Sequence, residues 1–442
     1  MLNERSIATV AASKFGPGWV RPAYGSYCFA GVADTIRQLF GVSAASPLPA
    51  DTIRQLHGLP ARSPLPADVL PEGGDYDRVV FFLIDAFGWR FFERYADGPF
   101  FKEALEGGVV SQLTSMFPST TVVHVTSSHT GLDAAATGIV EWFYYEPKID
   151  AIIAPLLFSY AGDMDRETLA KAGVPPETIF PRHNLYQDLA RVGAKSYFSA
   201  HRDYARSSYN NVVVNGADSL PYRTWPEALA NLTLRFEQEP TRSFSRSYYT
   251  LYFGEIDGHG HTYGPESRQL AAEAECLLML MARFLDECLR RWPRTLILLT
   301  ADHGVSETDP ATTIYLNLRF PGFERYLKTD RQGRPLLFGG SPRDLFLYVR
   351  EECLDEVHAL LARELAGKAE VMRTAELIRA GLLGVSSSPD DLLTRTGNLM
   401  ILPHRYESVA WYEKGRFEQK HYGHHGGLTR EEMLIPFVAV AT

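Results

Sequence analysis

The sequence predicts an α/β fold in which a mostly parallel central sheet lies between two layers of helices, with a smaller cap or insertion attached. Two observations carry this prediction. Apolar runs with the length of buried strands alternate with longer helical patterns along most of the 442 residues. Residues 79–84 are all apolar, which is typical of a strand that is buried on both faces in a parallel sheet.

The individual elements follow this alternation. Further strands are predicted at residues 195–200, 211–214, 247–253, 295–300 and 434–441. The clearest helix spans residues 266–291, because Pro265 stands at its entry and two arginines lie in its last turn. Residues 308–415 interrupt the alternation with Pro- and Gly-rich joins and contain one strand–helix unit. We therefore expect an α/β core at 77–307, a cap at 308–415 and a return to the core at 416–442.

A tandem repeat precedes the core. Residues 34–50 (DTIRQLFGVSAASPLPA) and 51–67 (DTIRQLHGLPARSPLPA) are two copies of one 17-residue unit. Two copies are too few for a solenoid, which needs about three units. We interpret residues 1–76 as an N-terminal arm with a duplicated helix and proline-rich loop. The duplication is either a tolerated surface insertion or a partner-binding segment.

Composition and charge narrow the class of protein. The formal net charge of −9 disfavours a stable complex with nucleic acid, because phosphate backbones require Lys and Arg. No apolar run approaches the roughly 18 residues of a membrane span, and the N-terminus lacks the apolar segment of a signal peptide. The four cysteines form no CxxC pair. We expect a cytoplasmic protein without membrane contact, and the sequence leaves its oligomeric state open.

Side chains that can bind metal ions follow several predicted strands. They occur in the stretches FFLIDAFG, GEIDGHGHTYGP, LILLTADHGV and HYGHHGGLTREEMLIPF. In open α/β sheets, ligands bind at the carboxyl ends of the strands. The candidate ligands are Asp85, Asp257, His261, Asp302, His303 and His425. Three Asp and three His suit two sites for divalent ions, Zn²⁺ or alternatively Mn²⁺, and such a pair clamps the attacking and leaving oxygens of a phosphoryl transfer.

The glycines around Asp257 and His261 favour a tight turn. His259 shares this stretch, and we expect it to point away or to support the ligands. Hydroxyl groups precede a helix-length segment in FPSTTVVHVTSSHTG. Thr120 and Thr121 have two interpretations. They cap the helix, or one of them is a nucleophile, because a helix N-terminus stabilises an alkoxide and a bound phosphate.

The order of these features resembles the alkaline phosphatase superfamily and, within it, the type I phosphodiesterase/nucleotide pyrophosphatase branch. The shared features are an Asp after a strand, a Thr before a helix that ends in Thr-Gly, DxxxH followed by Gly-Pro, then DHG, and a late HGG. The resemblance covers roughly residues 77–305 and 421–440 and implies an alkaline phosphatase-like three-layer sandwich. It also implies catalysis by two metal ions.

The resemblance assigns roles to the candidate residues. One metal ion is implied to bind Asp257, His261 and His425. The other is implied to bind Asp85, Asp302 and His303, with the nucleophile oxygen completing its shell. In the superfamily the nucleophile generally stands nine residues before the Thr of the Thr-Gly pair. That Thr is Thr130 here, so Thr121 is favoured over Thr120.

The chain departs from the branch after the nucleophile, where Val122, Val123 and His124 replace a Phe-Pro-Asn-His pattern and no Asn stands near Glu141. The group that binds a phosphate oxygen therefore stays open. The prediction is a two-metal phosphoesterase that hydrolyses phosphodiesters or nucleotide pyrophosphates, with a small nucleotide-like substrate and a covalent phospho-threonine intermediate. The alternatives are a phosphomonoesterase or phosphonate hydrolase, and a PglZ-like regulatory or binding protein without turnover, which the late HGGLTREEMLIPF segment also resembles.

Overall fold

A seven-stranded sheet forms the centre of the computed structural model, which describes residues 1–16, 18–42, 63–238, 246–384 and 388–442. The strands in chain order are β1 (Lys14–Phe15), β2 (Trp19–Val20), β3 (Arg78–Ile84), β4 (Gly108–Thr114), β5 (Tyr144–Glu146), β6 (Ala151–Ala154), β7 (Ser159–Tyr160), β8 (Lys195–Ser199), β9 (Asp218–Ser219), β10 (Ser247–Phe253), β11 (Thr295–Thr300), β12 (Ser306–Glu307), β13 (Ile314–Tyr315), β14 (Leu345–Leu347), β15 (Ala369–Arg373), β16 (Leu399–Pro403), β17 (Val409–Ala410), β18 (Gly423–His424) and β19 (Leu434–Ala441).

The central sheet has the strand order β4-β19-β11-β3-β10-β8-β9. Strands β11, β3, β10, β8 and β9 pair in parallel, and β19 runs antiparallel to both of its neighbours. The prediction of a mostly parallel sheet is therefore confirmed. The carboxyl ends of β3, β10 and β11 lie side by side at one edge of the sheet, so the residues that follow these three strands meet there.

Helices cover both faces of the sheet. The α-helices in chain order are α1 (Glu4–Ala12), α2 (Val32–Leu39), α3 (Trp89–Tyr95), α4 (Pro99–Gly107), α5 (Thr121–Thr130), α6 (Ala134–Thr137), α7 (Thr168–Lys171), α8 (Leu185–Arg191), α9 (Ser208–Val213), α10 (Trp225–Gln238), α11 (Glu255–Tyr263), α12 (Arg268–Arg291), α13 (Leu316–Arg319), α14 (Leu354–Glu364), α15 (Thr374–Arg379), α16 (Pro389–Thr396) and α17 (Arg430–Met433). Helices α2, α5, α8 and α9 contact one another in one layer, and α4, α10, α11 and α12 form the other.

Neighbouring residues of β3 show how the sheet is enclosed. The Phe82 ring packs edge-on against Phe284 of α12, with 5.5 Å between the ring centroids. The next residue, Leu83, lines a cavity together with Val125 of α5. Because successive strand side chains point to opposite faces, both faces of β3 are covered by helices. The predicted three-layer sandwich is confirmed.

The segment predicted as a cap has a small sheet and a hydrophobic cluster of its own. Strands β14, β16 and β15 form an antiparallel sheet, and α14 contacts β15. Leu345, Val357 and Leu399 are buried in that cluster, separately from the cluster around the central sheet. The strand–helix unit predicted in this region is therefore present. The domain boundaries at 76, 307 and 415 stay predictions.

Two predictions about local structure are wrong. Residues 211–214, predicted as a strand, lie in and directly after helix α9. The Ser207 side chain accepts a hydrogen bond from the backbone N–H of Asn210 and so caps this helix, which outweighs the strand preference of the three valines that follow. The glycine-containing stretch after β10 is the helix α11 rather than a tight turn. Strand β4 was not predicted.

The N-terminal residues pack against the edge of the central sheet. The backbone N–H of Asn3 donates to the carbonyl of Val110 in β4 at 2.8 Å, and the backbone of Cys28 forms a β-bridge with Thr114 of the same strand. The first repeat copy begins within α2, and residues 43–62 of the two copies lie outside the described residues. All four cysteines are free thiols. Within the described ranges, no helix is both long and apolar enough to cross a membrane.

Candidate active site

The site lies at the carboxyl edge of the central sheet. Asp85 directly follows β3, and Asp302 and His303 follow the neighbouring strand β11. Asp257 and His261 belong to α11, which begins two residues after the end of β10. Because they are four residues apart on a helix, the side chains of Asp257 and His261 share one face. The sheet thus brings together side chains that are far apart in the sequence.

Thr121 is the first residue of α5, and its side chain faces the acids. Its Oγ1 lies 3.4 Å from each carboxylate oxygen of Asp85 and 3.1 Å from Nε2 of His303. Thr120 is the N-cap residue, but its side chain makes no capping hydrogen bond to the described start of the helix. The helix ends at Thr130, with Gly131 in the left-handed conformation (φ 74°). Of the two threonines, Thr121 is therefore the one that contacts the predicted ligands.

The first group of predicted ligands is fully buried. Nε2 of His303 lies 3.4 Å from Oδ1 of Asp85 and 3.4 Å from Oδ2 of Asp302. Oδ1 of Asp302 accepts hydrogen bonds from the backbone N–H groups of Ala86 and His303, at 3.0 and 2.8 Å. These two bonds fix the carboxylate, and they leave Oδ2 of Asp302 without a hydrogen-bond partner in the part of the chain that the structure describes.

The second group surrounds Asp257. Oδ2 of Asp257 lies 3.3 Å from Nε2 of His261, and Oδ1 lies 3.5 Å from Nε2 of His425. The His425 ring stacks on His303, with 3.7 Å between the centroids, so that His303 lies close to both groups. The structure therefore brings all six predicted ligands and Thr121 into one site. Their role in binding metal stays a prediction.

The three histidines are oriented in the same way. Nδ1 of each ring lies at hydrogen-bond distance from a backbone carbonyl: His261 from Gly423 at 2.8 Å, His303 from Gly304 at 2.9 Å and His425 from Ser119 at 3.0 Å. A proton on Nδ1 leaves the lone pair on Nε2, which is the atom that faces the carboxylates. Such a bond from the second nitrogen is typical of histidines that bind a metal ion.

The electrostatics of the site favour a cation. Burial and the neighbouring carboxylates of Asp302 and Asp257 raise the pKa of Asp85 well above its usual range. Burial likewise raises the pKa of Asp302 to about 7. Among the described residues, Oδ2 of Asp302 and Oδ1 of Asp257 are buried without a hydrogen-bond partner, which is costly in an apolar interior. Divalent ions between these oxygens and the imidazole nitrogens would satisfy both groups, so the donor set fits metal ions.

Several side chains at the site were not singled out from the sequence. The hydroxyl of Tyr252 in β10 donates to Oδ2 of Asp85. His421 and His424 lie beside His261, with ring centroids 4.5 and 4.9 Å from it, and the three rings form a further group that could hold a metal ion. The HYGHHGG stretch contains both residues, but its spacing alone does not show which histidines face the site.

His259 takes no part in the groups that could hold a metal ion within the described ranges. Its Nδ1 lies 2.8 Å from the carbonyl oxygen of Glu255, one turn earlier in α11. Of the two expectations for His259, that it points away or that it supports the ligands, its position agrees with the first.

Two cavities open beside Thr121. The inner cavity, about 440 Å³, extends between α5 and the sheet and is lined by Asp85, Tyr252 and Leu83 among others. The cap-side cavity, about 410 Å³, lies between the core and the cap and is lined by His261 and His425 among others. Thr121, Trp142 and Asp257 line both cavities. A substrate centred on Thr121 therefore has space on two sides.

Comparison with known proteins identifies similar chains. Ectonucleotide pyrophosphatase/phosphodiesterase family member 3 of Rattus norvegicus is 25% identical over 299 residues, which are 65% of this chain and 31% of the relative. The Bos taurus protein of the same name is 26% identical over 298 residues, 64% of this chain and 31% of the relative. The chain thus spans about a third of the length of these curated relatives.

Solved structures show the same fold. Murine ectonucleotide pyrophosphatase/phosphodiesterase 5 superposes with a TM-score of 0.60 at 18% identity, covering 82% of this chain and 88% of that chain. The human protein gives a TM-score of 0.59 at 17% identity, with 82% and 87% covered. The family model described as type I phosphodiesterase/nucleotide pyrophosphatase matches residues 79–428, which include every candidate site residue. With most of its length and its whole site inside that match, the chain belongs to the type I phosphodiesterase/nucleotide pyrophosphatase family.

Proposed function

We propose that the protein hydrolyses phosphodiester or nucleotide pyrophosphate bonds, with Thr121 as the nucleophile and two divalent ions as cofactors, Zn²⁺ being the metal that the ligand types favour. The observation that carries the proposal is the position of Oγ1 of Thr121, 3.1 Å from His303 and 3.4 Å from Asp85. One ion would be held by Asp85, Asp302 and His303, and the other by Asp257, His261 and His425. When bound, the ions would supply positive charge that stabilises the attacking and leaving oxygens.

The residues of the chain have separate tasks in this reaction. Oγ1 of Thr121 would give its proton to solvent and attack phosphorus, the bond from phosphorus to the leaving oxygen would break, and a phospho-threonine would form. The leaving oxygen would depart as an anion or take up a proton from solvent. Water then attacks the same phosphorus and restores the Thr121 hydroxyl. The first N–H groups of α5 have no partners within the helix, so they favour the negative phosphoryl oxygens.

The nature of the substrate rests on the comparisons. One solved neighbour is an inactive variant of murine ectonucleotide pyrophosphatase/phosphodiesterase 5 in complex with AMP. We therefore propose a small nucleotide-like substrate for this chain. We also propose a cytoplasmic location, which the four free thiols support.

Metal reconstitution tests the function. The metal-free protein should not hydrolyse bis-nitrophenyl phosphate or ATP, and Zn²⁺ or Mn²⁺ should restore hydrolysis, with AMP as the product from ATP. Nitrophenyl phosphate tests the phosphomonoesterase alternative, and nitrophenyl sulfate tests whether the site also accepts a sulfate ester. Asp302→Asn should lose one equivalent of bound metal, whereas Asp97→Asn, at an exposed position, should keep both. Full activity of a metal-free sample would refute the proposal.

A further inference from the structure

The cap-side cavity and the inner cavity are lined by different sets of predicted metal ligands. His261 and His425, which belong to the second ligand group, line the cap-side cavity, whereas Asp85 and Tyr252 line the inner one. Thr121 contacts the first ligand group. In a two-metal in-line displacement the attacking oxygen and the leaving oxygen are stabilised by different ions. Because Thr121 contacts the first group, the second group is the one that remains for the leaving oxygen. The leaving group of a diester would therefore occupy the cap-side cavity.

The walls of the cap-side cavity are aromatic. The rings of Phe143, Phe338 and Phe417 pack edge to face, with centroid distances of 4.9 to 5.9 Å, and all three line the cavity. The guanidinium of Arg416 lies over the Phe417 ring at 4.9 Å. Aromatic walls of this kind favour planar rings, which they contact through stacked or edge-to-face arrangements.

The polar part of the same cavity is rich in imidazole. His421 and His424 line it close to His261, with ring centroids 4.5 and 4.9 Å from that ring. An imidazole carries two ring nitrogens that can form hydrogen bonds, so these side chains suit the oxygens near a scissile bond. The cavity is therefore lined by imidazoles beside the predicted metal ligands and by aromatic rings elsewhere.

We propose that the cap-side cavity is the leaving-group site and that it selects diesters whose leaving group carries a planar aromatic ring, such as a nucleoside or a phenol. The proposal rests on the proposed function and specifies the substrate class of the same site. The retained arm of the diester occupies the inner cavity, and Trp142, which lines both cavities, separates the two arms.

The test compares two diesters that share a thymidine 5′-phosphate arm and differ in the leaving group, p-nitrophenyl in one and trifluoroethyl in the other. The kcat/KM of each variant is divided by that of the wild type on the same substrate. This ratio cancels the difference in leaving-group reactivity between the two esters. Phe143→Leu and Phe417→Leu should lower kcat/KM about tenfold for the aryl ester, mainly through KM, and less than about threefold for the alkyl ester. Phe320→Leu, in the cap but outside the cavity, should change neither.

Equal losses on both esters, or no loss on either, would overturn the proposal while leaving the proposed function intact. If the wild type hydrolyses neither ester after metal reconstitution, the proposed function itself fails. A second measurement needs no variant: the KM of the wild type should fall severalfold from a phenyl to a naphthyl ester, whose leaving groups differ little in acidity. An unchanged or higher KM for the naphthyl ester would also overturn the proposal.

Discussion

Thr121→Ala is the substitution that most directly tests the mechanism. It removes the hydroxyl that lies 3.1 Å from Nε2 of His303 and 3.4 Å from the Asp85 carboxylate. It leaves the backbone N–H groups at the start of α5 and all six predicted ligands in place. Thr121→Ser keeps the hydroxyl and serves as the positive control. Thr120→Ala removes the neighbouring hydroxyl, which does not cap the described helix, and serves as the negative control.

The expected loss follows from the role of the hydroxyl. Without Oγ1 no covalent intermediate forms, and only binding and electrostatic stabilisation remain. We expect kcat to fall by about 10⁴-fold, which corresponds to about 5.4 kcal/mol of transition-state stabilisation. Thr120→Ala should lower kcat by less than about tenfold, equivalent to less than about 1.4 kcal/mol, because the Thr120 side chain makes no capping hydrogen bond to the described helix. Metal content should be two ions in every variant.

The assay combines steady-state kinetics with trapping of the intermediate. Acid quenching of the wild type during turnover, followed by mass spectrometry, should place the phosphoryl adduct on the peptide that contains Thr121. Since that peptide also contains Thr120, fragmentation must assign the residue. An adduct on Thr120, or an inactive Thr120→Ala beside an active Thr121→Ala, would refute the assignment and the nine-residue spacing on which it was based.

Three further predictions concern stability and the repeat. Arg343→Met leaves Glu432 buried without its bidentate partner and should lower the free energy of unfolding by about 3–5 kcal/mol in chemical denaturation. Burial raises the pKa of Glu141 from 4.5 to about 8. Its contribution to stability is therefore fully present below pH 4.5 and is lost as the pH rises to about 8. Glu141→Gln should reduce the fall in melting temperature across that pH range. Deleting residues 51–67 leaves an identical SPLPA segment before Asp68 and should leave kcat/KM nearly unchanged; a large loss in folded protein would place the repeat at the site.

The parts of the site that follow strands directly could be predicted from the sequence. Asp85 and Asp302 end apolar runs that are long enough to define buried strands, and parallel pairing then brings their carboxylates to one edge. Short runs were less informative, because three valines after Ser207 suit either a strand or a capped helix. Tyr252 lies within a strand that is buried on both faces, where no periodicity indicates which side chains reach the site.

The contribution of the cap to the site could not be predicted, because it depends on contacts between segments distant in sequence. The hydroxyl of Ser341 lies 3.1 Å from the carbonyl of His425, and the guanidinium of Arg343 binds Glu432, which in turn accepts from the backbone N–H of Gly427 at 3.1 Å. These bonds connect the cap to His425 directly and to Gly427 through Glu432. The cap, which interrupts the α/β alternation of the sequence, therefore supports the predicted metal ligand His425. A change in the cap that leaves the core intact should still lower the metal affinity of the second ligand group.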